Sequence, residues 1–205
     1  KTDASFIIVP TPSLPDGEFD TSISVKAARN IGRALAEKDE YHLVVLTSTV
    51  LPGATERDVA PVLEEESGKK CGRDFGLCYS PEFIAIGNVI SGLIEPDFFL
   101  IGEFDDRSGR LLENIYRREA GEDVCVKRMS IASAELTKIS VNAYVTMKIS
   151  FANSLAHICQ GIPSAHAHVV ADAVGSDSRI GNKYLKPGGA FGGPCFPRDN
   201  RAFSW

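Results

Sequence analysis

The chain has 205 residues, of which 43% are hydrophobic, 24% charged and 8% aromatic, a balance that suits one large globular domain or two small ones. Lys and Arg number 22 against 27 Asp and Glu, and the net charge of −5 excludes the electrostatic footprint of a non-specific nucleic-acid binder. No apolar run approaches the ~20 residues needed to span a bilayer, and the apolar run Phe6-Ile7-Ile8-Val9 is too short for a signal peptide.

Ser5–Val9, closed by Pro10-Thr11-Pro12, suits a short buried parallel strand. Asp20 or Thr21 caps a helix running to about Glu37, with Ile23, Ala27, Ile31, Ala34 and Leu35 on one face. His42–Thr47 reads as a second strand, turning at Pro52-Gly53 into a helix over Ala54–Glu65. Gly76–Tyr79, Phe98–Gly102 and Val124–Val126 read as three further strands, with a helix at Arg107–Glu119. Strands alternating with helices of 10–15 residues predict βαβ units and a parallel sheet. From Ser130 to about Gln160 there is neither Gly nor Pro, and Ile131, Leu136, Ile139, Val145, Ile149, Phe151 and Leu155 recur at helical spacing. This predicts one helix of about 30 residues. Its apolar residues occupy more than one face, so it is expected to pack on its own domain and on a partner chain. Ser164–Gly175 reads as another helix and the stretch through Pro194 as loop. The missing initiator Met and the closing Phe203-Ser204-Trp205 read as a piece of a longer protein.

In a doubly wound sheet, ligands bind beyond the carboxyl ends of the strands. Val9-Pro10-Thr11-Pro12, Thr47-Ser48-Thr49-Val50 and Tyr79-Ser80-Pro81-Glu82-Phe83 all fall there. Each alone is also an ordinary turn; three on successive strands favour a site. Lys138 and Asn142, four apart, share a helix face and could offer an ammonium and an amide N–H to one oxyanion, or simply face solvent. The five cysteines are irregularly spaced without a CxxC, which argues against a disulfide framework or a zinc knuckle and for a reducing cytoplasm. Inert packing suits Cys71, Cys78, Cys125 and Cys159. It suits Cys195 poorly, because Cys195 follows a glycine-dense loop and precedes Arg198, which could favour a thiolate, and Asp199, a possible base. His166-x-His168 is assigned no metal, since alternate helix positions face different ways.

Five stretches carry a wider pattern: Val9–Pro12, Ser48–Gly53, Ser80–Phe83, Lys138-x-x-x-Asn142-Ala143, and RIGNKYLKPGGAFGGPCFPRD from Arg179 to Asp199. Together they resemble the UDP-glucose/GDP-mannose dehydrogenase family over essentially the whole chain. The resemblance implies an α/β fold. Residues 1–127 would be the later half of a Rossmann-like NAD-binding domain, and residues 128–205 an all-α central domain that dimerises through the long helix. It implies an NAD-dependent nucleotide-sugar 6-dehydrogenase of polysaccharide biosynthesis, of the UDP-glucose type, which takes the sugar C6 alcohol to a carboxylate and reduces two NAD. By resemblance, Cys195 is the nucleophile that forms a thiohemiacetal and then a thioester, while Lys138 and Asn142 hold the C6 oxygen. Asp199 and Thr49 would position water, and Glu82 would assist thioester hydrolysis. Val9, Pro10, Thr11, Ser48, Thr49, Glu82 and Arg198 would face NAD. Glu82, Phe83, Ile84, Lys138, Asn142, Arg179, Lys186, Phe191 and Gly192 would contact the nucleotide sugar. No metal, nucleic acid or membrane is implied.

The chain has no G-x-G-x-x-G, so the first βαβ unit, expected to hold the NAD pyrophosphate, is placed outside it, as is a third domain. Ile86 stands where many members carry a second acid, and Arg198 where Lys is usual. The alternatives are a UDP-N-acetylmannosamine type of enzyme and a non-catalytic dimerisation module. A cysteine acyl transferase without NAD is a further rival, which the strand-tip Thr11, Thr49 and Glu82 argue against.

Overall fold

The computed structural model describes residues 2–83, 90, 92 and 95–204. Five strands lie side by side in sequence order: β1 (Ala4–Ile7), β2 (Leu43–Leu46), β3 (Gly76–Tyr79), β4 (Phe99–Glu103) and β5 (Val126–Ser130). Every residue of β2 and β3 is buried, as four-residue apolar runs must be when both sheet faces are covered. One face packs Val44, Leu46, Leu77, Tyr79 and Leu100 against α1 (Ser22–Ala36), α2 (Ala60–Ser67) and the start of the long helix α4 (Ile131–Gln160). The other packs Leu43, Val45, Cys78 and Ile101 against Leu112, Ile115 and Tyr116 of α3 (Asp106–Ala120). Asp105 starts α3 with a capping box, accepting from Arg107 N and Ser108 N at 2.9 and 3.0 Å.

The sheet departs from the expected all-parallel arrangement at one pair. β1/β2, β2/β3 and β4/β5 are parallel, but β3 and β4 run antiparallel, with Tyr79 opposite Gly102 and Cys78 opposite Glu103. A parallel pair needs a crossover back to the amino edge, whereas here the chain re-enters β4 at the edge where β3 leaves. The fifth strand lies at Val126–Ser130 rather than Val124–Val126. It is polar in part because Arg128 pairs with Glu103 at 2.7 Å, Asp106 at 2.7 Å and Glu113 at 3.3 Å.

β5 runs directly into α4, which is 30 residues long. Its first turn presses on β4: a Cβ on Gly102 would lie 2.8 Å from Ala134 Cβ and 2.8 Å from Ile131 Cα. The helix expected over Ala54–Glu65 opens instead as a π turn, Thr55–Val59, before α2 begins. The helix expected from Ser164 begins at Ala167 (α5, Ala167–Gly175), since Ser164 has a φ of 65° that no right-handed helix accommodates. Phe196–Phe203 (α6) forms a helix that the sequence reading left out; its eight residues are too few and too polar for a periodic signal, although Pro197 suits a first turn. The chain forms two compact units, residues 1–138 and 139–205. No helix among the described residues is long and apolar enough to cross a membrane.

Candidate active site

In the first unit, the parallel register that pairs Ile7 with Leu46 brings the tips of β1 and β2 together. Ser48 pins them: its hydroxyl accepts from Val9 N at 2.8 Å and donates to Val9 O at 2.7 Å. Thr11, itself buried, donates to Thr49 O at 2.7 Å, while Pro10 stays exposed. The hydroxyl of Thr47, buried at the same tip, has no hydrogen-bond partner. Four of the expected cofactor-side residues, Val9, Thr11, Ser48 and Thr49, therefore form one hydrogen-bonded patch.

At the tip of β3, Lys138 of α4 closes on the link that follows. Its side chain is buried, its Nζ donates to Glu82 O at 2.5 Å, and it sits 4.6 Å above the Phe83 ring. This is not a solvated helix face. Partial desolvation holds the Glu82 carboxyl above the usual carboxylate range, and the Lys138 charge pulls it the other way. Ile84 and Ile86 lie outside the described residues.

In the second unit, Cys195 is exposed and precedes α6 directly. One turn on, Asp199 is fully buried: Asn142 Nδ2 donates to its Oδ2 at 2.6 Å and Arg198 Nε to its Oδ1 at 2.8 Å. The Arg198 charge is thus spent on the carboxylate. Two contacts were not foreseen. Thr146, one turn after Asn142, donates to Asn200 Oδ1 at 3.0 Å, and so α4 grips α6 at two successive residues. Asn153 brackets the glycine loop, accepting from Gly188 N at 2.9 Å and donating to Gly189 O at 3.3 Å. Beside it, Ser150, His157, Ile158 and Phe191 line an open cleft of about 490 Å³. Single Asn and Thr residues inside a long helix carry no spacing signal, which is why the sequence did not mark them. Lys186 and Gly192 are exposed, and Arg179 turns outward onto Asp177 at 2.6 Å.

The other cysteines separate cleanly from Cys195 with one exception. Cys78 and Cys159 are buried, and burial pushes the Cys71 and Cys78 thiols up to about 12. Cys125, expected to be packing, is exposed just before β5.

Residues 1–120 match the family model for the UDP-glucose/GDP-mannose dehydrogenase family, NAD binding domain, and residues 132–205 match that for its central domain. The chain belongs to the UDP-glucose/GDP-mannose dehydrogenase family. Within it, the chain is 40% identical to a UDP-glucose 6-dehydrogenase of Haloferax volcanii, over 98% of this chain and 47% of that protein. It is 38% identical to a GDP-mannose 6-dehydrogenase of Pseudomonas aeruginosa, over 100% of this chain and 46% of that protein. Among solved structures, a UDP-glucose dehydrogenase from the archaeon Pyrobaculum islandicum superposes with a TM-score of 0.89 at 40% identity, over 98% of this chain and 45% of that one. The chain thus spans about half the length of these relatives.

Proposed function

We propose that this chain carries catalytic residues of an NAD-dependent nucleotide-sugar 6-dehydrogenase, with UDP-glucose the first substrate to test. The observation that carries the reading is the pairing of an exposed Cys195 with a buried Asp199 one helical turn away, held by the half-buried Asn142 and Arg198. An exposed thiol is free to meet a substrate, and the bond from Asn142 to the buried Asp199 fixes the helix it starts.

NAD fits the first unit at its nicotinamide end, where Val9, Thr11, Ser48 and Thr49 converge and the buried Thr47 hydroxyl lacks a partner. When bound, it would accept a hydride in each of two successive oxidations. Lys138 would offset negative charge on the C6 oxygen as it develops, and the amide of Asn142 would donate to the same oxygen. The hydroxyl proton released in the first oxidation would pass to water, and Cys195 Sγ would then add to the aldehyde carbon, its thiol proton passing to the C6 oxygen to give a thiohemiacetal. The second oxidation leaves a thioester on Sγ. Glu82, its carboxyl lifted by partial desolvation, would take a proton from the attacking water, releasing the sugar acid and the free thiol.

We propose also that two copies pair through α4. Tyr144, Met147, Phe151 and Ile158 are each at least half exposed and fall three, four and seven residues apart along one stripe. NADH formation by the full-length protein with UDP-glucose, GDP-mannose and UDP-N-acetylmannosamine, at two equivalents per sugar, tests the dehydrogenase reading. No NADH with any of the three would overturn it.

A further inference from the structure

One buried charge of α4 has no part in the chemistry above. Glu135 is fully buried, one turn before Lys138. Its Oε1 accepts from Thr55 N at 2.9 Å and from Thr55 Oγ1 at 2.6 Å, and its Oε2 accepts from Gly53 N at 2.5 Å. A carboxylate away from water is costly unless donors surround it. These three supply that, at the amino end of the π turn that leads into α2, where free backbone N–H groups favour an anion. Gly53 reaches this geometry with a φ of 88°, outside the comfortable range of a side-chain-bearing residue.

The segment so held follows directly from Thr49 at the tip of β2. One turn further along α4, Lys138 is fixed to the link after β3 through Glu82 O. Two buried groups of opposite charge, both in the first eight residues of α4, therefore tie down the links after two neighbouring strands. Neither link has another element of regular structure between its strand tip and its tie.

We infer that Glu135 is a positioning residue that sets Thr49 against Lys138 by anchoring the Gly53–Thr55 turn. It touches neither substrate nor cofactor. The inference rests on the dehydrogenase reading, since Thr49 and Lys138 matter only if that reaction occurs.

The test uses the full-length protein with NAD and whichever nucleotide sugar it oxidises. Glu135→Gln is nearly the same size, but it turns an acceptor into an N–H group facing Gly53 N or Thr55 N. The expected result is a kcat lower by about a hundredfold, the loss typical of misplacing reacting groups by about 1 Å, with KM for the nucleotide sugar unchanged. Thr55→Ser keeps both Thr55 donors and should retain the wild-type kcat; Thr55→Val removes one donor and should lower kcat by a smaller factor. Circular dichroism melts accompany each assay, and if Glu135→Gln does not fold, the Ser and Val pair at residue 55 makes the comparison. Wild-type kcat in Glu135→Gln or, where that does not fold, in Thr55→Val overturns the role, as does a loss that merely follows the folded fraction. An active wild type with unaffected variants sinks only this role, whereas an inactive wild type sinks the dehydrogenase reading and the role with it.

Discussion

Cys195 stands out in the sequence as a thiol after glycines, whereas Lys138, a lysine four before an asparagine, was singled out only by the family resemblance, since its spacing fits a solvated face equally well. What the sequence could not supply was burial, which here removes Lys138 from solvent and sets it over Phe83. The two residues lead to different outcomes on substitution in the full-length protein. Cys195→Ala should abolish sugar-acid formation, because no covalent adduct can retain the aldehyde. Cys195→Ser should instead accumulate a sugar-acyl ester, since an oxygen ester is hydrolysed more slowly than a thioester, and intact-protein mass spectrometry would detect it. Steady NADH at two equivalents per sugar from Cys195→Ala would refute the covalent role of this exposed residue. Lys138→Ala should slow the first oxidation by about a hundredfold, roughly 3 kcal/mol, if its ammonium matters as much as one oxyanion donor. Stopped-flow NADH absorbance reads that step directly, and a wild-type first turnover would refute the assignment.

At the level of elements, periodicity and apolar runs marked the four-residue strands and the 30-residue helix, because burial on both faces and an unbroken helical repeat are local signals. Strand direction is not local, and so the reversal at β4 was missed. So was α6, an eight-residue helix with a polar middle. Packing between α3 and the sheet has a pH signature. Burial pushes the Tyr116 hydroxyl, which donates to Ser80 Oγ at 2.7 Å, up to about 12, and does the same to the Cys78 thiol. The folded state holds these protons where the unfolded chain, titrating near ordinary values, has released them. Stability therefore falls as pH rises from about 9 to about 12. Tyr116→Phe keeps the ring stacked 4.1 Å from Phe99 and removes one such group, so its urea midpoint should decline less steeply between pH 9 and 11. An identical slope in both proteins would contradict this account.

For the molecule as a whole, the proposed pairing rests on the stripe on α4. Burying a large apolar side chain there is worth about 1.5–3 kcal/mol, and four in one stripe favour pairing over exposure. Apolar residues on more than one helix face raise this expectation in the sequence, but which of them remain exposed required the fold: Leu155, part of the same apolar pattern, is only partly exposed. Phe151→Asp should convert a dimer to a monomer, or to insoluble material, in sedimentation experiments. A well-folded monomer of the unmodified protein at micromolar concentration would show that the stripe serves something else.

The reversal of β4 also bears on how such a protein can change over generations. Because β3 leaves the sheet and β4 enters it at the same edge, the link from Ser80 to Phe98 begins and ends beside the tips that carry Thr11 and Thr49. A crossover helix has to keep the length that spans the sheet, but a link that returns to its own edge has no such constraint. A change of length between Phe83 and Phe98, both of which pack on one hydrophobic layer, need not alter strand order or register. Glu82 and Phe83 sit at its entrance, so under the proposed reaction a change of length in this link would act on substrate choice before it acted on strand order.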